Sequence, residues 1–347
     1  MLFHAVQRHG IELDNGQLTI LRTAAFREQL RTETYRRICR SVFAALVDQR
    51  ISAMVLKGAA LAETVYSDPA LRHSHDIEIL LEDRHLKETA DMLIPLGFSP
   101  AGTKSPRGLS GIEFTHASGL PLVLHRSLFQ IPFYNSVQPA VLRRSRTTTI
   151  AEIPMRVLSP ADALFHTCGH AAYSPSRASY RWISDAWLII DRNPDLDWDV
   201  LLACAHRSRL TLPLSVMLHY LSEDLGAALP PTFLDRLFVT ASKTDALGRE
   251  LALFGARSAP QGGFKTLLRK TRGWRGRLFV IQWMLFPSRT YLLWLRQIHR
   301  PWLLPLCYVH RLVKYVVRRI RRDFKNSMRR NRVRQNHRTL PHASQNT

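Results

Sequence analysis

Apolar residues recur at helical spacing from residue 24 to 49, through Phe26, Leu30, Ile38, Val42 and Leu46, which predicts a helix. A short β-type run follows, "ISAMVL", Ile51 to Leu56. It stops at Lys57-Gly58 and gives way to the helix-like "AALAETVY". "HDIEILL" reads as a second strand. "EDRHLKETADMLIPLG" reads as an amphipathic helix ending at Gly97, a usual C-terminal signal. "GIEFTHASGLPLVLHRSLF" alternates as two strands joined by a Ser-Gly turn. The order α-β-α-β-α-β-β predicts a small α/β unit with a mixed sheet.

After "IPMRVLSPAD" the period changes. "LSPADALFHTCGHAAY", "SYRWISDAWLII", "DWDVLLACAHRSR" and "LPLSVMLHYLSEDLG" all carry helical patterns. Ser159 suits an N-cap and Pro160 a first helical position. A boundary is therefore expected near residue 155. Residues 1–50 are expected to form a helical segment packed on the next domain, 51–155 an α/β domain and 156–300 a helical domain. No internal repeat is evident.

Asp76 and Glu78 stand out in this pattern. They lie two apart in a run of Ile and Leu, so on a strand their side chains point the same way. Neighbouring carboxylates repel, and burying them unpaired is costly. A bound cation offsets both penalties, whereas a strand end with a solvated outer face would avoid them. Oxygen ligands suit a hard cation such as Mg²⁺, and the N–H groups at a Gly turn before a helix suit phosphate.

The stretch "VLKGAALAETVYSDPALRHSHDIEILL" resembles the motif block of an uncharacterised bacterial nucleotidyltransferase family within the polymerase-β-like superfamily. The matching positions are Lys57, Gly58, Tyr66, Arg72, Asp76 and Glu78. "LVLHRSLF" resembles the family's strand with a His, placing His125, and "ADALFHTCGHA", "RWISDAWLII" and "LDWDVLLACA" resemble its helical half. The resemblance implies an α+β fold: a small mixed-sheet polymerase-β-like domain followed by a helical domain, to which the residue pattern below adds a basic amphipathic C-terminal helix. It implies transfer of a nucleotidyl group from an NTP to an unidentified acceptor, by a two-metal mechanism with Mg²⁺ or Mn²⁺ on Asp76 and Glu78. Lys57, Gly58, Arg72 and His125 would contact the nucleotide, with a salt bridge to a neighbouring acid the alternative for Lys57 and Arg72. The chain departs from the superfamily in three places. Lys57-Gly58 stands where Gly-Ser is usual, Glu78 where Asp is common, and Val123 where a third carboxylate would fall two residues before His125. Glu113 on the preceding strand is a substitute to consider. These departures leave a second reading open, a weakly active or inactive binding or scaffolding module.

Other candidates read more blandly. His166 and His170 are four apart on a helix with Cys168 between them, a spacing that suits a metal. Cys168 faces away from their shared side, so histidines bonded within a core are favoured. Trp182, Asp185 and Trp198 read as packing and capping residues.

Charge changes the picture at the C-terminal end. The net charge is +22, but residues 264–340 hold 21 Lys and Arg against one acid, Asp323, and the remainder is nearly neutral. Val309, Val313, Val316, Val317, Ile320 and Phe324 form one apolar stripe. Arg311, Lys314, Arg318, Arg321, Arg322 and Lys325 lie opposite. Residues 301–328 thus read as a basic amphipathic helix, and 329–347 as a disordered tail. An anionic membrane surface and simple packing on the protein are equal readings of the stripe, and nucleic acid is less favoured, for want of interleaved aromatics. The longest uncharged run here, "LFVIQWMLFPS", has 11 residues, short of the roughly 20 that span a bilayer. Four scattered cysteines and no secretory pattern at "MLFHAVQRHGIELDNG" suit a cytoplasmic protein, and the membrane reading of the stripe would make it peripheral at the inner face of the membrane.

Overall fold

The computed structural model describes residues 2–101, 111–129, 131–173 and 180–244, and beyond them 248–249, 252, 268, 271, 273–285, 301–310 and 313. Contacts gather Met1–Val280 into one compact unit and Ile281–Thr347 into another. Most of the basic amphipathic segment expected over 301–328, and all of the tail, lie outside the described residues. Among the described residues, no helix is long and apolar enough to cross a membrane.

The first unit opens with α1 (Leu2–Arg8) and the long α2 (Asn15–Asp48). Asp14 caps α2 through a capping box with Gln17, which satisfies donors that the helix start leaves open. Only the C-terminal half of α2 is buried, through Tyr35, Cys39, Val42, Phe43 and Leu46. Phe26 and Leu30, expected in the apolar stripe, are exposed.

A seven-stranded mixed sheet follows, in the order β3-β4-β5-β2-β1-β7-β6. Its centre is β1 (Ala53–Leu56) and β2 (Ile77–Leu81), paired antiparallel, with α3 (Lys57–Thr64) springing from the end of β1. Both strands are buried at every position. That explains a run of Ile and Leu where a half-exposed strand would alternate. After α4 (Leu86–Leu93) come β3 (Phe98–Pro100) and the predicted hairpin, β4 (Gly111–His116) and β5 (Pro121–His125). β5 runs parallel to β2. After α5 (Gln138–Arg144), a second hairpin that the sequence reading did not foresee, β6 (Arg146–Ile150) and β7 (Ile153–Val157), closes the other edge, with β7 parallel to β1.

Helices α6 (Pro160–Tyr173), α7 (Arg181–Asp191), α8 (Trp198–Arg207), α9 (Thr211–Glu223) and α10 (Pro231–Ser242) form the helical half, and α11 spans Trp274–Leu285. Ser159 caps α6 as its sequence predicts, accepting from the Asp162 N–H at 3.3 Å. Asp162 is fully buried and takes a two-pronged contact from Arg144 at 3.0 and 2.6 Å. This pair ties the start of α6 to α5. Further along α6, a Cβ at Gly169 would come within 2.9 Å of both Leu210 and Phe129, so only glycine lets the helix pack so closely there. One apolar core runs from Met54 and Leu56 on the sheet through Phe165, Ile189 and Leu214 on the helices. Among the described residues, that core takes side chains from both sides of the change of pattern near residue 155.

Candidate active site

β1 ends against β2 with Leu56 directly opposite Glu78. The chain then turns sharply. Lys57 adopts a left-handed backbone, φ 47°, which is uncommon for a residue with a side chain and strained. Gly58 follows on the first turn of α3. A Cβ there would stand 2.8 Å from Ser74 Oγ and 3.4 Å from Arg72 Nη1. Glycine at this place therefore admits the 72–75 loop, which leads into β2, against the start of α3.

Glu78 is 6 % exposed, so its carboxylate faces the protein interior rather than a solvated sheet face. Lys57 Nζ donates to its Oε1 at 2.6 Å, and His125 Nε2 lies 3.2 Å from the same oxygen. Burial alone would raise the Glu78 pKa. Lys57, and after it His125 and His170, outweigh burial and hold it well below the usual carboxylate value. Lys57 Nζ also lies 2.9 Å from His170 Nε2. An ammonium only donates, so Nε2 accepts and the ring proton sits on Nδ1. Burial, then Lys57, keeps the His170 pKa well below its ordinary value. The structure thus joins Lys57, Glu78 and His125, which the sequence singled out, with His170, which it set aside.

Asp76 immediately precedes β2. Tyr35 on α2 donates to its backbone carbonyl at 3.0 Å, and Arg31 donates to the carbonyl of Ser74. Helix α2 therefore fixes the backbone on which Asp76 is carried. Arg31 and His73 also both contact Glu28 of the same helix.

Arg72 is engaged elsewhere. It grips Asp185 on α7 with Nε and Nη2, each at 2.8 Å, and its Nη1 donates to the His73 carbonyl at 2.8 Å. Tyr66 donates to the same carboxylate at 2.8 Å. Arg72 and Asp185 are 10 % and 5 % exposed. Of the two roles left open for Arg72, this geometry is the salt bridge. Asp185, read from sequence as a packing residue, is its partner 113 positions away.

The third-carboxylate position is apolar in fact as well as in sequence. Val123 is fully buried and lies directly opposite Glu78 in the β2–β5 register. Glu113 lies opposite Val123 on β4. The three residues form one row across the sheet, with Glu113 two strand spacings, about 9.5 Å, from Glu78. Among the described residues, no group of three or more His, Cys, Asp or Glu is arranged to hold a metal ion.

His166 departs from its neighbour His170. Its Nε2 donates to the Leu128 carbonyl at 3.1 Å, and burial, with Lys57 nearby, depresses its pKa from 6.5 to about 3. The unfolded chain takes up a proton that folded His166 refuses. Its stability contribution should therefore be complete above about pH 6.5 and fall as the pH drops towards 3. Denaturant midpoints measured from pH 6.5 to 5 should decline less steeply in His166→Gln, which keeps a donor for Leu128. Equal slopes in the two proteins would remove His166 as a contributor.

Residues 1–226 match a family described as uncharacterised nucleotidyltransferase. No curated protein matches the chain. Among solved structures, the solution structure of the antibiotic-resistance factor ANT(2'')-Ia is similar at 13% identity. The match covers 55% of this chain and 97% of that one, with a TM-score of 0.40. An antigenic nucleotidyltransferase-like protein from Paracoccidioides brasiliensis is similar at 18% identity, over 57% and 96% of the two chains, with a TM-score of 0.36. With its match spanning residues 1–226 of 347, the chain belongs to the uncharacterised nucleotidyltransferase family.

Proposed function

We propose that the chain transfers a nucleotidyl group from a nucleoside triphosphate to an acceptor, with a divalent cation, Mg²⁺ or Mn²⁺, held by Asp76 and Glu78. One observation carries this reading. The turn at Lys57-Gly58 sets the N-terminus of α3 directly beside Glu78, because Leu56 pairs with Glu78 across the central strands. A helix N-terminus offers N–H donors and a positive dipole end to phosphate, and here it lies next to buried carboxylate oxygen.

The donor set fits one such ion. Mg²⁺ is commonly held by one or two carboxylates and completed by phosphate oxygens and water. The contacts from Lys57 and His125 both fall on Glu78 Oε1, so Oε2 is the oxygen a cation would use, together with the Asp76 carboxylate. When bound, the cation supplies Lewis-acid stabilisation of charge on the reacting phosphate. In the transfer itself the acceptor oxygen bonds to the α-phosphorus. The bond from that phosphorus to the bridging oxygen breaks, pyrophosphate leaves with the electron pair, and the acceptor proton passes to water. Lys57 contributes a fixed positive charge beside these oxygens. α2, through Tyr35, holds the Asp76 backbone in place.

Incubation with each labelled NTP, Mg²⁺ and cell extract should label an acceptor with the wild-type protein and none with Asp76→Asn. The buried Val123 beside Glu78 favours a second reading, in which the fold binds nucleotide but transfers it slowly or not at all. Tight metal-dependent nucleotide binding without any labelled acceptor would select that reading.

A further inference from the structure

We propose that the Lys57 ammonium permanently takes the place of one of the two cations that paired-carboxylate phosphoryl transfer otherwise employs, so that this site works with a single divalent ion. The inference rests on the nucleotidyl-transfer reading above.

Four observations converge on it. A two-ion clamp needs ligand oxygens on both sides of the shared carboxylates. Val123 supplies none, and it fills the neighbouring position on the same sheet face as Glu78, fully buried. Lys57 brings a positive charge to that carboxylate at 2.6 Å, half of what a second divalent ion would bring. His170 Nε2 accepts from the same ammonium at 2.9 Å, so its position is fixed at two points. The left-handed backbone at Lys57, φ 47°, is where a flexible turn would use glycine. A lysine kept in that conformation is aimed inward.

The chemistry is self-consistent. An ammonium carries three N–H donors, of which Glu78 and His170 take two. The third can meet an oxygen of the leaving pyrophosphate, where negative charge grows as the bond to the α-phosphorus breaks. A lysine acts there as a point charge, which is the part of a metal's role that needs no coordination geometry.

The test counts ions rather than turnover. Mn²⁺ bound in the complex with a non-hydrolysable triphosphate analogue is counted by electron paramagnetic resonance. The wild-type protein should hold one Mn²⁺ per chain. The double variant Lys57→Ala/Val123→Asp, which removes the resident charge and restores an oxygen ligand, should hold two. Two ions in the wild type would overturn the proposal and leave the nucleotidyl-transfer reading standing. A folded double variant that still holds one would also overturn it. No bound ion in the wild type would overturn both readings. The wild-type count does not depend on the variant's folding, so a variant that fails to fold leaves the proposal open to refutation.

Discussion

Asp185→Ala should lower the melting temperature by on the order of 10 °C, because it strands Arg72 in the interior. The pair is almost fully buried, and Arg72 meets the carboxylate at two points. Removing one partner of such a pair typically costs about 3–5 kcal/mol, since the remaining charge stays desolvated. The Tyr66 hydroxyl loses its acceptor in the same step. For a protein of this size each kcal/mol corresponds to roughly 2–4 °C. The loop that Arg72 anchors leads into Asp76, so the variant should also bind nucleotide less well, in proportion to its loss of stability. A variant that melts like the wild type yet loses nucleotide binding would contradict this account. It would return Arg72 to the role of a phosphate contact.

Lys57→Met should cost about 3 kcal/mol or more, again by leaving a buried charge, this time Glu78, without its cation. Unlike Asp185→Ala, this loss should be largely reversed by a second change, Glu78→Gln, because the neutral pair no longer needs compensation. The two residues touch at 2.6 Å, so the double-mutant cycle should show clear non-additivity. Denaturant unfolding of the wild type, the two single variants and the double variant measures it. Strictly additive losses would mean that Lys57 and Glu78 are not coupled, and that the ammonium does not serve as the resident charge of the site.

How much of this was legible in the sequence follows from the range of the interactions involved. The hairpin of β4 and β5, the start of α6 at Ser159-Pro160 and the run containing Glu78 are written in local pattern. The two-residue spacing of Asp76 and Glu78 is plain there too. The β6–β7 hairpin was not. Its turn residues, Ala151 and Glu152, hold φ of 48° and 70°, where Asn or Gly is the usual signal. Arg40 on α2 supports that turn by reaching the Ala151 carbonyl and pairing with Glu152, a tertiary device with no local trace. The start of α2 was readable in Asp14 and Gln17, but its first half presents Ile20, Phe26 and Leu30 to solvent and blurs the apolar stripe.

Within the site, spacing could suggest that His166 and His170 share a helix face. It could not say that one bonds Leu128 and the other Lys57. Asp185 was likewise out of reach, because nothing near it in sequence points to Arg72. The departure at Val123 was legible at once. Its consequence needed the register, which puts its side chain beside Glu78 with Glu113 beyond it.

The central claim, that Asp76 and Glu78 hold a metal-dependent nucleotide site, is tested most directly by titration calorimetry of the protein with each NTP, with and without Mg²⁺ or Mn²⁺. The wild type should bind nucleotide only when the metal is present. Asp76→Asn should weaken that binding by at least about tenfold, or roughly 1.4 kcal/mol, with an unchanged melting temperature. Equal affinity in Asp76→Asn and the wild type, with metal present, would contradict it.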